Sequence, residues 1–153
     1  MVFASVDDGG EPERIPSADE ARAEIEDWKR RIGLLFDTIQ GWLPPGEGYE
    51  ADRSRTVPVD ELMMRHLGIP AYRIPLLEIR RAGADPVRFI PDARWVYNTR
   101  GRVMILGTKW PARLLDKGTG PEDVGWRLYA TWVAISGVSF DTAAFRSLLG
   151  ERR

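Results

Sequence analysis

The chain has 153 residues, of which 43% are apolar and 29% charged, with a formal net charge of −1 and no cysteine. A chain of this size buries about 68–70% of its unfolded surface and needs no covalent staples, and the missing cysteine excludes disulfides, thiolate nucleophiles and thiolate metal sites. No stretch approaches the ~20 consecutive apolar residues of a membrane span, and the opening residues MVFASVDDGGEPER lack the basic start and apolar run of a secretory signal, so a cytoplasmic protein with no membrane partner is expected.

Charge is distributed unevenly. Residues 1–28 hold nine acids and two arginines, whereas residues 29–153 hold 20 basic and 14 acidic residues. Residues 1–16, containing Asp7, Asp8, Gly9, Gly10, Pro12 and Pro16, are expected to form a flexible acidic tail ahead of a single domain over 17–153.

The stretch PSADE predicts a helix start. Ser17 can cap, and Glu20 three residues later can reach back to complete a capping box. The helix should run to about Leu43, because Pro44 and Pro45 cannot continue it. Ala21, Ile25, Trp28, Ile32, Leu35, Ile39 and Trp42 follow alternating spacings of four and three, a coiled-coil seam on paper. Phe36 and Leu43 widen the stripe to the face of a helix packed on its own sheet, which leaves a helix-mediated homodimer as the alternative.

Residues 44–55 show no periodicity and read as a loop. VDELMMRHLG predicts a short helix with Asp60 as cap and Gly68 as stop. Beyond it, short alternating runs predict strands near 76–81, 87–90, 94–98, 102–107 and 126–135. Pro91 should bulge the sheet, and Arg100-Gly101 should close a tight hairpin between 94–98 and 102–107. The chain ends in a helix capped by Asp141, with Phe140 and Phe145 as a hydrophobic staple and Gly150 as its end. The expected fold is α+β: a long N-terminal helix packed on a four- to five-stranded antiparallel meander, then a short C-terminal helix.

Catalytic chemistry finds little support. His66 stands alone, no G-x-S-x-G or H-E-x-x-H spacing occurs, and the glycines around Gly118 and Gly120 lack the G-K-[ST] end of a phosphate loop. The acids Glu78, Asp92, Asp116, Glu122 and Asp123 share no spacing that would converge them on a metal. No catalytic residue, metal site or cofactor is therefore assigned.

Strand alternation offers a different candidate. If the parities align across the sheet, Arg80, Arg88, Arg102 and Arg127 lie on one face with Tyr129 and Met104, opposite the oily face under the first helix. The same parities place Arg81 opposite Val87 and Arg80 opposite Arg88, with Glu78 diagonal to Arg88. An arginine face with an aromatic suits an acidic protein partner, in the manner of an antitoxin- or immunity-like bacterial inhibitor. It also suits phosphate backbones and stacked bases of nucleic acid. A solvated face of Arg–Glu pairs is the plain alternative, and a metal-carboxylate enzyme is the third functional reading.

Overall fold

The structure, a computed structural model, describes residues 14–150; the greater part of the acidic segment expected as a tail, residues 1–13, and residues 151–153 lie outside the described residues. The first helix, α1 (Ala18–Trp42), begins as its residues dictate. Ser17 Oγ accepts the Glu20 N–H at 3.1 Å, and the Glu20 carboxylate accepts the Ser17 N–H at 3.3 Å. Leu43 is the C-cap, directly before the two prolines. The predicted apolar stripe is buried from Ala21 to Ile39, and Trp42 packs against Phe140 and Phe145 with ring centroids 5.4 and 6.0 Å apart. The seam thus faces the chain's own core rather than solvent.

The fold is α+β, and its sheet is larger than the alternation predicted. Strands β1 (Glu50–Asp52), β2 (Thr56–Val59), β3 (Tyr72–Pro75), β4 (Leu77–Arg80), β5 (Val87–Ala93), β6 (Arg102–Leu106), β7 (Ala112–Asp116), β8 (Trp126–Tyr129) and β9 (Val138–Ser139) are joined by helix α2 (Leu62–His66) and closed by α3 (Thr142–Gly150). Seven of them form one antiparallel sheet in the order β1-β4-β5-β6-β7-β8-β9, and β2 pairs with β3 in a separate two-stranded ribbon. Leu77, Ile79, Val87, Phe89, Val103, Ile105, Leu114 and Leu128 form the buried inner face, against α1 and α3. The C-terminal helix has the predicted punctuation: Asp141 Oδ1 accepts the Ala144 N–H at 2.8 Å, and the Phe140 and Phe145 rings lie 6.4 Å apart.

Four departures from the sequence expectations have identifiable causes. β1 falls within residues 44–55, where a loop was expected, and β2 follows directly where no element was expected, because pairing with β4 and β3 supplies the hydrogen bonds that no local pattern announces. The short helix α2 starts from Glu61, not from an Asp60 cap, and Asp60 instead accepts from Arg65 at 3.1 Å. Glu61 is drawn elsewhere, its two carboxylate oxygens taking the backbone N–H groups of Arg94 and Trp95 at 2.9 and 3.0 Å.

That capture accounts for the third departure. Residues 94–98 are no strand, despite their alternation. β5 bulges between Pro91 and Ala93. The chain then leaves the sheet with Arg94 turned inward to Glu24 at 2.6 Å and Asn98 at a positive φ of 58°. Gly101 does not close a hairpin onto 94–98. It lies against the buried Trp28 ring, where a Cβ would collide, and the chain at this point bonds to β7: Arg100 N–H reaches Asp116 O at 2.7 Å, and Asp116 N–H reaches Gly101 O at 3.0 Å.

The fourth is β7 itself, hidden in the sequence by a charge on its inner face. Asp116 is fully buried and accepts from Arg31 Nη1 of α1 at 2.6 Å. Arg31 also reaches Asp27 at 2.7 Å and the Arg100 carbonyl at 3.0 Å, so one buried guanidinium ties the helix to the sheet. Burial pushes the Asp27 carboxyl upward, but the Arg30 and Arg31 guanidinium groups outweigh it and hold it below the ordinary value. The predicted strand over 126–135 is correspondingly short and ends at Tyr129.

Candidate functional site

Register places every residue of the sheet's outer face. Glu78 pairs with Arg88, Arg88 with Leu106, Ile90 with Met104, Met104 with Arg113, Arg113 with Tyr129 and Leu115 with Arg127. Because side chains alternate along each strand, Arg80, Arg88, Arg102 and Arg127 do share one face with Tyr129 and Met104, as the parities predict. Both long elements of packing, α1 and α3, lie on the opposite face, and of these outer-face side chains only Glu78 is buried.

The register at the first hairpin differs by two residues from the one expected. Ile79, not Arg81, lies opposite Val87, so Arg88 faces Glu78 directly and Arg80 faces Glu50 across to β1. The like-charge pair expected there does not form. The reason is electrostatic: this register seats one carboxylate among three guanidinium groups. Glu78 accepts from Arg88 at 2.7 Å, from Arg80, and from Arg55 at 3.4 Å, while Arg80 also reaches Asp52 at 2.8 Å. Hydrogen bonds from Arg88 and then Arg80 hold the Glu78 carboxyl below its ordinary value despite its burial. Arg102 is likewise spent on Asp92, at 2.6 Å from Nε.

The other end of the face differs. Arg127 Nη2 donates to the carbonyls of Gly137 and Ser136 at 2.8 and 3.3 Å, and the Arg113 guanidinium lies 5.6 Å from the centre of the Tyr129 ring. Neither arginine has a carboxylate partner among the described residues. Between the two ends runs an apolar stripe of Ile90, Met104, Leu106 and Leu115, of which Leu106 is 43% exposed. The five residues singled out from sequence therefore sit on one surface but in two electrostatic settings: Arg80, Arg88 and Arg102 neutralised, Arg127 and Tyr129 beside an open positive charge.

Arg113 was missed by sequence reasoning. The signal was present, since Ala112 and Leu114 alternate with Arg113 and Leu115, but Asp116 on the inner parity masks a strand pattern that expects an apolar residue there. The candidate acids do not meet: Glu78 lies on the sheet's outer face, Asp116 is buried on its inner face, and Asp123 accepts from Thr119 at 2.6 Å in the following loop. Among the described residues no three His, Asp or Glu side chains are grouped to hold a metal ion, and no helix is long and apolar enough to cross a membrane. No known family model, curated protein or solved structure matches the chain.

Proposed function

We propose that this protein is a non-catalytic interaction domain, formed by residues 17–153, whose outer sheet face docks an acidic protein surface. The observation that carries the reading is the β7–β8 end: Arg113 and Arg127 have no carboxylate partner among the described residues, Arg113 lies over the Tyr129 ring, and both are continuous with the stripe of Leu115, Met104, Ile90 and Leu106. An apolar centre bordered by arginine and tyrosine is the composition that protein interfaces favour. A nucleic-acid platform is less well supported, since it calls for several aromatic faces and a broad positive field, whereas three of the arginines here are neutralised and the chain's net charge is −1. The seam of α1 is occupied by the chain's own core, which leaves the sheet face as the docking surface. An antitoxin- or immunity-like inhibitor is one form this role takes, and the absence of cysteine accords with a reducing cytoplasm.

The test pairs affinity capture with quantitative binding. A partner recovered with the wild-type chain is titrated against Arg113→Ala/Arg127→Ala, Tyr129→Ala and, as a control, Arg65→Ala on α2. The double variant is expected to weaken binding at least about tenfold, equivalent to about 1.4 kcal/mol, with Tyr129→Ala smaller in the same direction and Arg65→Ala unchanged. A partner whose affinity ignores all three outer-face substitutions refutes the assignment. Retention of nucleic acid instead, with affinity falling steeply in salt, replaces it with the nucleic-acid reading.

A further inference from the structure

The stretch that leaves the sheet, residues 94–101, does more than connect β5 to β6. Together with residues 14–16, Glu24 of α1 and Met63 of α2 it encloses a cleft of about 340 Å³. That volume lies within the range of small-molecule sites, ~300–1,000 Å³, which combine apolar walls with a few convergent polar groups. Both kinds of wall are present here. Trp95 and Val96 are half-buried, while Tyr97 is 71% exposed and Ile15 44% exposed at the rim.

The polar groups are mostly cationic. Arg14, Arg94 and Arg100 face the cleft with Glu24 as the carboxylate of the lining, while Glu20 and Asp27 stand behind it. The three differ in how they are engaged. Arg94 is committed, both Nε and Nη2 donating to Glu24 at 3.2 and 2.6 Å. Arg14 donates to Glu20 at 2.6 Å in an exposed pair, which is cheap to redirect. Arg100 is the least satisfied: its Nη2 lies 3.5 Å from Asp27 and 3.8 Å from Glu24, and its Nε is buried with no acceptor. A guanidinium held only by contacts this long is cheaply redirected at its terminal nitrogens, and its fork matches the paired oxygens of carboxylate and phosphate.

We infer that this cleft binds a small organic oxyanion with a flat apolar body, its carboxylate or phosphate received by Arg100 and Arg14 and its ring lodged against Trp95 and Tyr97. The site is separate from the outer sheet face. The loop leaves the sheet because Glu61 holds the Arg94 and Trp95 backbone, so the cleft's aromatic wall is positioned by a carboxylate outside its lining.

The experiment titrates the full chain with AMP and, separately, with phenylacetate, by calorimetry and by the NMR signals of the arginine Nε–H groups, in low salt. At least one probe is expected to bind with a Kd below about 1 mM, shifting the guanidinium signals of Arg14 and Arg100. Arg100→Gln should weaken that binding at least tenfold and Tyr97→Ala severalfold. Binding of AMP alone assigns a phosphate, of phenylacetate alone a carboxylate, and of both the shared oxyanion. Neither probe binding below about 1 mM overturns the inference, as does binding that persists in a folded Arg100→Gln. Should that variant not fold, the exposed positions decide: unchanged affinity in both Tyr97→Ala and Arg14→Gln overturns it. Arg113→Ala/Arg127→Ala should leave probe binding intact, so failure at the sheet face and failure at the cleft are read separately.

Discussion

Replacing Asp116 by asparagine probes how α1 is held on the sheet. Asp116 Oδ1 accepts the N–H groups of Gly118 and Gly125, each at 2.9 Å, while Oδ2 takes Arg31 Nη1 at 2.6 Å. Neither side chain of the pair exposes any surface. An asparagine keeps Oδ1 for the two backbone donors, removes the negative charge and turns an NH₂ group toward the guanidinium. Arg31 already has Nη2 buried without an acceptor, so it has no spare satisfaction to fall back on. Removing one partner of a buried pair costs about 3–5 kcal/mol. Asp27 remains on Arg31 at 2.7 Å, which places the expected loss near the lower end, about 3 kcal/mol. In a domain of this size 1 kcal/mol moves Tm by roughly 2–4 °C, so a fall of about 6–12 °C is expected. Urea unfolding followed by far-UV circular dichroism measures it directly. Arg31→Met removes the cation and leaves Asp116 its two N–H donors, so the double variant Arg31→Met/Asp116→Asn should be more stable than the two single losses added together by at least about 1 kcal/mol. A loss under about 1 kcal/mol for Asp116→Asn, or strict additivity in the double variant, would refute the lock.

Two further expectations follow from local geometry. Gly101→Ala places a Cβ into the buried Trp28 ring at a φ of 138°, and overpacking of this kind costs about 1–3 kcal/mol; an unchanged denaturation midpoint would show that the ring yields freely. Glu78 is held below its ordinary value of 4.5 by Arg88 and Arg80, so its contribution to stability is fully present above that value and is lost as the pH falls through the lower, folded-state value. Glu78→Gln should therefore be less stable than wild type at neutral pH and show a shallower loss on acidification. Parallel acid limbs in the two proteins would count against the Arg–Glu cluster as a source of acid sensitivity.

Features set by neighbours a few residues apart are legible in the chain. The limits and inner face of α1, the Ser17–Glu20 box, the Asp141 cap and the Phe140–Phe145 staple are all i to i+5 relationships and are seen as written. So is the alternation within each strand, which is local geometry; that Arg80, Arg88, Arg102, Arg127 and Tyr129 gather on one face rests on the registers between strands. Features that need partners far along the chain emerge only in the folded molecule. Three-residue β1 and two-residue β9 are too short to carry a period and exist through their pairing. β7 was concealed because its buried Asp116 makes sense only beside Arg31, 85 residues away. Residues 94–98 alternate like a strand yet leave the sheet because Glu61, more than thirty positions earlier, takes their backbone donors. In each case a buried polar or backbone group had to find a partner, and that demand overrode the local hydrophobic pattern.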